Sequence, residues 1–528
     1  MKGERILILL LMGCLPLWAG TSKTADQAPT AKTVDINRSI TIYNDVMRQL
    51  DMNYVDTLDY EDLLETGLKA ILSHVDPYTV YIPKKDDDNL KMLTTGKYGG
   101  IGAIIMQRDS VVVISEPYYG MPAQQNDVLA GDTILAVDGM ECFKKTTKEV
   151  SDKLRGKANT EVHLLLKRYG IAQPIERTFL RQEIHLPTVS YYTTLDDHIG
   201  YILFTEFTAN SSKEFLRAID EMVREDGIQK LIIDLRGNGG GIIDEAIQIA
   251  GYFIPRGTEV VSTKGKTQVS NRSYTTSTAP LYPDMPLVIL VDRNTASAAE
   301  IVSGGLQDLH RATIVGQRTF GKGLVQSVRP IAYDGHLKVT TSHYYLPSGR
   351  CIQAIDYAER QKGHALKRDT AGGILPDIVL SDSDKLDITY ALYREHMLFD
   401  YATRYKASHD SVADAKHFTL SDNDIEAFME FLDHRKFTYE TETGKQLKGI
   451  LDLAKHEDID STIIHEIEQL KQKLTPSFRE AIERNKEAVK SALGSEIMQR
   501  YYFQEGRIAF MLRTDKELKQ AIKAFEKE

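Results

Sequence analysis

A serine set among small residues, in Asn294-Thr295-Ala296-Ser297-Ala298-Ala299-Glu300, directly follows the branched apolar run Leu287 to Val291. Such a run reads as a buried strand, and the Ala-rich segment after it reads as a helix beginning near Ser297. A hydroxyl at a strand-to-helix turn is exposed, surrounded by free backbone N–H groups and close to the positive end of the helix dipole. That setting suits a nucleophile that generates an oxyanion. Ser297-x-x-Glu300 is equally a capping box, which starts a helix without any chemistry. What separates the two readings lies downstream, where Lys322 stands between Gly321 and Gly323, 25 residues after Ser297, with Gln326 four residues further on. No histidine occurs in a suggestive motif nearby. A lysine can act as the base if burial lowers its pKa from about 10.4 toward 7 or 8, since the neutral amine then accepts the hydroxyl proton.

The segments Ala296-Ser297-Ala298-Ala299-Glu300 and Thr319-Phe320-Gly321-Lys322-Gly323-Leu324-Val325-Gln326, with their spacing, resemble the carboxyl-terminal processing peptidases, or tail-specific proteases. A third segment, Asp234-Leu235-Arg236-Gly237-Asn238-Gly239-Gly240-Gly241, is similar to the family's Asp-Leu-Arg-x-Asn-Pro-Gly-Gly loop, with glycine at 239 where proline is usual. The resemblance implies Ser297 as nucleophile, Lys322 as general base and Gln326 as the residue that orients the lysine. It further implies an oxyanion hole made by the N–H groups of Gly241 and Ala298. A glycine-rich turn between strand and helix can also cradle a phosphate, but no Gly-Lys-Ser/Thr ending follows this one. Val75-Asp76-Pro77-Tyr78-Thr79 resembles another family element and is read as structural.

These residues need several domains to position them, and 528 residues supply them. The chain is 42% hydrophobic with a net charge of −10 and shows no dense basic patch, which argues against nucleic acid as a partner. Its three cysteines, Cys14, Cys142 and Cys351, form neither a disulfide framework nor a zinc pattern, and the family resemblance implies no metal or cofactor. Residues 1–20 have the layout of a secretory signal peptide: Lys2 and Arg5 precede an apolar stretch too short to span a bilayer. An exported protein of the periplasm or cell envelope is expected. A competing lipobox, Leu11-Met12-Gly13-Cys14, would leave the protein membrane-anchored if Cys14 were lipidated.

After a polar linker, residues 34–93 carry two amphipathic helical patterns. Residues 96–183 switch to short strands, with a helix near Thr146 to Leu154. Tyr98-Gly99-Gly100-Ile101-Gly102 with Ala130-Gly131-Asp132 resembles a PDZ domain, which implies that Gly100, Ile101 and Gly102 bind a peptide carboxylate while the peptide extends the sheet. Over 189–380 strands and helices alternate, as in a layered α/β fold. The resemblance makes this a crotonase- or Clp-like protease core with the PDZ as an inserted-type module. Residues 383–528 contain Pro476 alone among prolines and read as an all-α extension, with caps at Ser421 and Thr475-Pro476. The reading is a serine endopeptidase acting through an acyl-enzyme on protein or peptide substrates with apolar C-termini; homo-oligomerisation stays open. A non-catalytic PDZ-type peptide-binding scaffold is the alternative, and an acyl-CoA enzyme on the same core is a third.

Overall fold

In the computed structural model, residues 36–86, 92, 95–361, 372–381 and 388–526 are described. The expected signal peptide, the lipobox and Cys14 lie outside them. The chain divides into two units, Met1–Gly67 and Leu68–Glu528. The first contains the helix Ile36–Asn53 and the start of the helix Tyr60–Val75. Asp59 accepts from the Glu61 and Asp62 amides, and the Tyr60 hydroxyl donates to Asp51 at 2.8 Å.

In the second unit a β-rich module pairs Ala103–Arg108, Val111–Pro117, Thr133–Val137, Glu161–Lys167 and Ile175–Leu180 into one antiparallel sheet. The last of these strands is not legible in the sequence, where its Ile-Glu-Arg-Thr-Phe-Leu run breaks the alternation. Thr146 caps the helix Thr147–Leu154 in a complete capping box with Glu149.

The core that follows is an α/β layer. Strands β1 (Val189–Leu195), β2 (Ile199–Phe204), β3 (Lys230–Asp234), β4 (Leu287–Val291), β5 (Thr313–Gly316) and β6 (Ile378–Val379) lie side by side in that order. β1 is antiparallel to β2 and all other pairs are parallel. Helices α1 (Ser211–Asp226), α2 (Ile243–Gly251) and α3 (Ala298–Asp308) connect the strands. Every residue of β4 is buried, as a strand covered on both faces requires. Its alternate side chains serve two cores. Leu287, Ile289 and Val291 join Phe215, Ile219, Ala246 and Val302 on one face. Val288 and Leu290 join Ile199, Tyr201 and Ile232 on the other, where the cover comes from the far end of the chain. A second sheet, of Val80–Ile82, Glu259–Gly265, Arg272–Thr275, Leu324–Pro330 and His336–Tyr345, flanks this core.

The C-terminal segment is helical, as expected, and has its own apolar core of Leu398, Ile425, Phe428, Leu493 and Ile497 among others. Ser421 caps Asp422–His434 in a capping box with Asp424, but the second expected cap is displaced: Ser477, not Thr475, caps the helix Phe478–Arg484. Thr475 instead closes the preceding helix, because Pro476 disfavours helical backbone in the residue before it. The long helix α4 (Lys486–Leu512) leads into α5 (Lys516–Ala524), whose Leu518, Ala521 and Ala524 pack on the second face of the core sheet. Among the described residues no helix is long and apolar enough to cross a membrane.

Candidate active site

Ser297 stands between β4 and α3 as the N-cap residue, with φ 57° and ψ −117°. Few non-glycine residues hold a positive φ, and surrounding bonds must enforce it. They are present on both sides. Asp292 Oδ1 accepts from the amides of Gly237, Asn294 and Thr295 at 3.0, 3.0 and 2.9 Å, while the Thr295 hydroxyl donates to the Leu235 carbonyl at 2.8 Å. The Ala296 amide donates to the Asn238 carbonyl at 2.9 Å. The glycine loop 237–241 is thereby stitched to the serine turn. Gly240 has φ +96°, and a Cβ there would sit 2.7 Å from Ser297 Cβ and 2.8 Å from the Ala298 nitrogen, so only glycine permits this approach. At Gly239, where the family's proline is missing, a Cβ would meet nothing within 4 Å and the backbone is ordinary. Among the described residues no hydrogen bond engages the Gly241 or Ala298 amide, which leaves both available as donors.

The lysine loop is fixed to the same turn by the Phe320 amide, which donates to the Thr295 carbonyl at 3.0 Å, and above all by Glu300. Glu300 is fully buried, and its carboxylate takes four donors. Oε1 accepts from the Thr319 hydroxyl at 2.5 Å and the Gly321 amide at 2.8 Å; Oε2 accepts from the amides of Ser297 at 2.8 Å and Lys322 at 2.9 Å. One oxygen thus holds the backbone of the serine and of the lysine together. Burial pushes the Glu300 carboxyl up from its ordinary range, and the four donors oppose that shift. In the sequence Glu300 is legible only as a capping partner of Ser297, and the bond from the Ser297 amide is indeed that half of a capping box.

Lys322 is half-buried, and its Nζ lies 4.6 Å from the centroid of the Tyr78 ring. Desolvation holds its pKa below the ordinary lysine value, nearby Lys338 adds to the depression, and Glu300 opposes it. Tyr78 belongs to the element read from sequence as structural, and nothing in that reading places its ring over the amine. Asp76 shapes the turn by accepting from the Tyr78 and Thr79 amides at 2.7 Å each. Tyr344, which the sequence does not single out for the site, is buried beside Ser297, and its amide donates to the Gly323 carbonyl at 2.8 Å. Gln326 donates to the Leu324 carbonyl at 3.3 Å and to Thr340 Oγ1 at 3.4 Å. No bond from it to Lys322 is present among the described residues. Its route to the lysine is indirect: Thr340 bonds Thr79, Thr79 bonds Asp76, and Asp76 sets the turn carrying Tyr78.

In the β-rich module, Gly100 ends a strand, Lys97–Gly100, paired with Gln182–His185, and Ile101 and Gly102 form the link to the strand Ala103–Arg108. The Ile101 carbonyl accepts from the Ala123 amide at 2.8 Å and the Gly102 carbonyl from the Tyr118 amide at 2.9 Å. Ala103–Arg108 is an edge strand with the helix Thr147–Leu154 beside it. Among the described residues no group of three or more His, Cys, Asp or Glu side chains could hold a metal ion.

Comparison with known proteins assigns these parts. Residues 198–379 match the model of peptidase family S41, residues 113–168 that of the PDZ domain, and residues 388–525 that of the probable PDZ-protease C-terminal helical domain. A carboxy-terminal-processing protease of Bartonella bacilliformis is 31% identical over 371 residues, covering 69% of this chain and 81% of its own. A carboxyl-terminal-processing protease of Synechocystis is 36% identical over 298 residues, covering 55% and 68%. Among solved structures, the photosystem II D1 C-terminal processing protease is 27% identical and covers 65% of this chain and 92% of its own, at a TM-score of 0.37. The chain belongs to the carboxyl-terminal processing peptidases of family S41, with a PDZ domain and a C-terminal helical domain.

Proposed function

We propose that the protein is an exported serine endopeptidase that reads protein C-termini through its PDZ domain and cleaves with a Ser297/Lys322 dyad. The observation that carries this reading is the Glu300 carboxylate, which fixes the backbone of both residues through one oxygen while Lys322 sits in a desolvated place. Burial lowers the Lys322 pKa and so favours the neutral amine, which accepts the Ser297 proton as the oxygen attacks the peptide carbonyl carbon. The Gly241 and Ala298 amides donate to the resulting oxyanion. Collapse breaks the C–N bond, Lys322 gives its proton to the leaving amine, and water then hydrolyses the acyl-Ser297 ester. Gln326 supports the turn that lays Tyr78 over the amine, and the buried Tyr344 lies beside Ser297. The substrate tail adds to the edge strand Ala103–Arg108, and its carboxylate meets the Gly100-Ile101-Gly102 loop.

The test is cleavage of an unstructured protein with an apolar C-terminus by the chain from Thr21 onward, beside Ser297→Ala, Lys322→Ala and a substrate with an amidated C-terminus. Cleavage lost in both variants and weakened by amidation is expected. Full turnover in Lys322→Ala would remove the dyad, and indifference to amidation would remove tail reading. Tight peptide binding without cleavage by the unmutated chain would leave a PDZ scaffold.

A further inference from the structure

The helical domain does not end on its own core. Its last helix, α5, returns to the protease sheet and places two carboxylates against the strand that carries the glycine loop. Asp234, at the end of β3, is buried and accepts from the Tyr201 hydroxyl at 2.7 Å and from the Arg236 amide and Nε at 3.0 and 2.9 Å. The far side of the same guanidinium donates to Asp515 Oδ2 and Glu517 Oε2, each at 2.7 Å. Arg236 therefore lies between one carboxylate of the core and two of α5. The three acids outnumber the one cation, and the α5 N-terminus compensates: Asp515 caps it, accepting from the Glu517 and Leu518 amides at 2.8 and 2.9 Å. From Arg236 the chain runs straight into Gly237, Asn238 and Gly240. Their amides are held by Asp292, the Leu235 carbonyl and the Asn238 side chain, at 3.0, 3.1 and 2.8 Å.

We propose that α5 acts as a clamp on the active site, with Asp515 and Glu517 as positioning residues that hold Arg236 and so keep the Gly237–Gly241 loop in the geometry its oxyanion-binding amide requires. This rests on the protease reading above. A fork of guanidinium bonds to carboxylates on both sides fixes direction as well as distance, which a single apolar contact cannot do. The C-terminal helical domain thereby becomes part of the catalytic apparatus although none of its residues touches substrate. An oxyanion donor acts chiefly in the transition state, so loosening its loop lowers kcat and spares KM.

The experiment uses the double variant Asp515→Asn, Glu517→Gln in the full chain. Asparagine still caps the helix, and Leu518, Ala521 and Phe525 still bury their apolar face. Arg479→Gln, which breaks two exposed ion pairs within the same helical domain, with Glu426 and Asp433, is the control. The double variant is expected to lose about tenfold in kcat with KM within about twofold. A peptide boronate, whose tetrahedral adduct mimics the oxyanion, should lose affinity by the same factor as kcat/KM while an uncleaved peptide binds unchanged. Hydrogen exchange at the Gly237, Asn238 and Gly240 amides should quicken in the double variant and not in the control. Unchanged kcat and unchanged exchange in the double variant would overturn the clamp, as would equal losses in the control. Quickened exchange in a protein whose unmutated form neither cleaves nor takes boronate would uphold the clamp and sink the protease reading instead.

Discussion

At the scale of single residues, the proposed dyad makes the protonation state of Lys322 the decisive quantity. Burial depresses its pKa, so the neutral amine gains as pH rises through that lowered value, and kcat/KM should rise along an acid limb below the ordinary lysine range. Tyr78 affects this limb in two opposed ways. Its ring attracts the ammonium, worth about 0.5–1 kcal/mol, which favours the charged form. It also helps exclude water from the amine, and lost hydration disfavours the ammonium; the net direction at Lys322 is downward. Desolvation wins. Tyr78→Ala is therefore expected to move the acid limb to higher pH and slow turnover near pH 7, while Tyr78→Phe leaves the limb in place. A pH profile of kcat/KM checks this, and a limb shifted downward in Tyr78→Ala would reverse the assignment. Glu300→Gln should be more damaging, because in either orientation its amide nitrogen would face at least one backbone N–H donor where a carboxylate oxygen now accepts. A displacement of the serine and lysine backbones by about 1 Å is enough for a loss on the order of 10²-fold in kcat. Kinetics beside a thermal melt will separate that loss from simple unfolding.

At the scale of elements, the glycine loop offers a paired prediction. Gly240→Ala puts a methyl group into Ser297 and strains a backbone at φ +96°, so it should abolish cleavage. Gly239→Ala meets nothing within 4 Å and should leave kcat/KM within about twofold, as a substitution away from any contact does. Equal losses at both positions would mean that the loop needs flexibility and not the close approach. What can be read from sequence follows from how local the signal is. β4, α3 and the Ser297 turn are legible because a fully buried run next to a small-residue helix start is a pattern of adjacent segments. Lys322 is legible through its flanking glycines and its spacing. Tyr78 is not, since it reaches the lysine from 244 positions upstream, and nothing in Asp76-Pro77-Tyr78-Thr79 says which loop it will cover. Tyr344 is hidden in the same way, on a strand whose alternation shows a buried face without showing what is buried against it. The carboxylates of α5 look like solvated charges on an amphipathic helix, and only the tertiary fold brings them to Arg236.

At the scale of the whole second unit, the PDZ domain is seated on the helical domain through a junction with an imperfectly paired acid. Arg108 of the PDZ sheet forms a forked ion pair with Asp400, and Tyr119 packs on Phe503 with ring centroids 5.3 Å apart. Between these contacts Glu116 is buried, one carboxyl oxygen lacking any hydrogen-bond partner among the described residues. Desolvation pushes its pKa up; Gln499, Arg507 and Arg500 on α4 pull it down, and Glu496 adds to the rise. The net direction is upward. A carboxyl whose folded pKa exceeds its unfolded value binds its proton more tightly in the folded state, so stability falls as pH rises from the unfolded value through the folded one. Above that window the full cost of the buried charge persists. Glu116→Gln removes the charge, keeps the shape and leaves an amide able to bond Gln499. Its melting midpoint should therefore exceed that of the unmutated chain at pH 7, with the difference vanishing by about pH 4, where the unmutated carboxyl is largely protonated. The same gain at both pH values would show that the benefit is hydrogen bonding and not charge. A loss at pH 7 would mean that the two arginines more than compensate the burial of Glu116. A stabilised junction that also changed the KM for long substrates, but not for short peptides, would tie the seating of the PDZ domain to tail delivery.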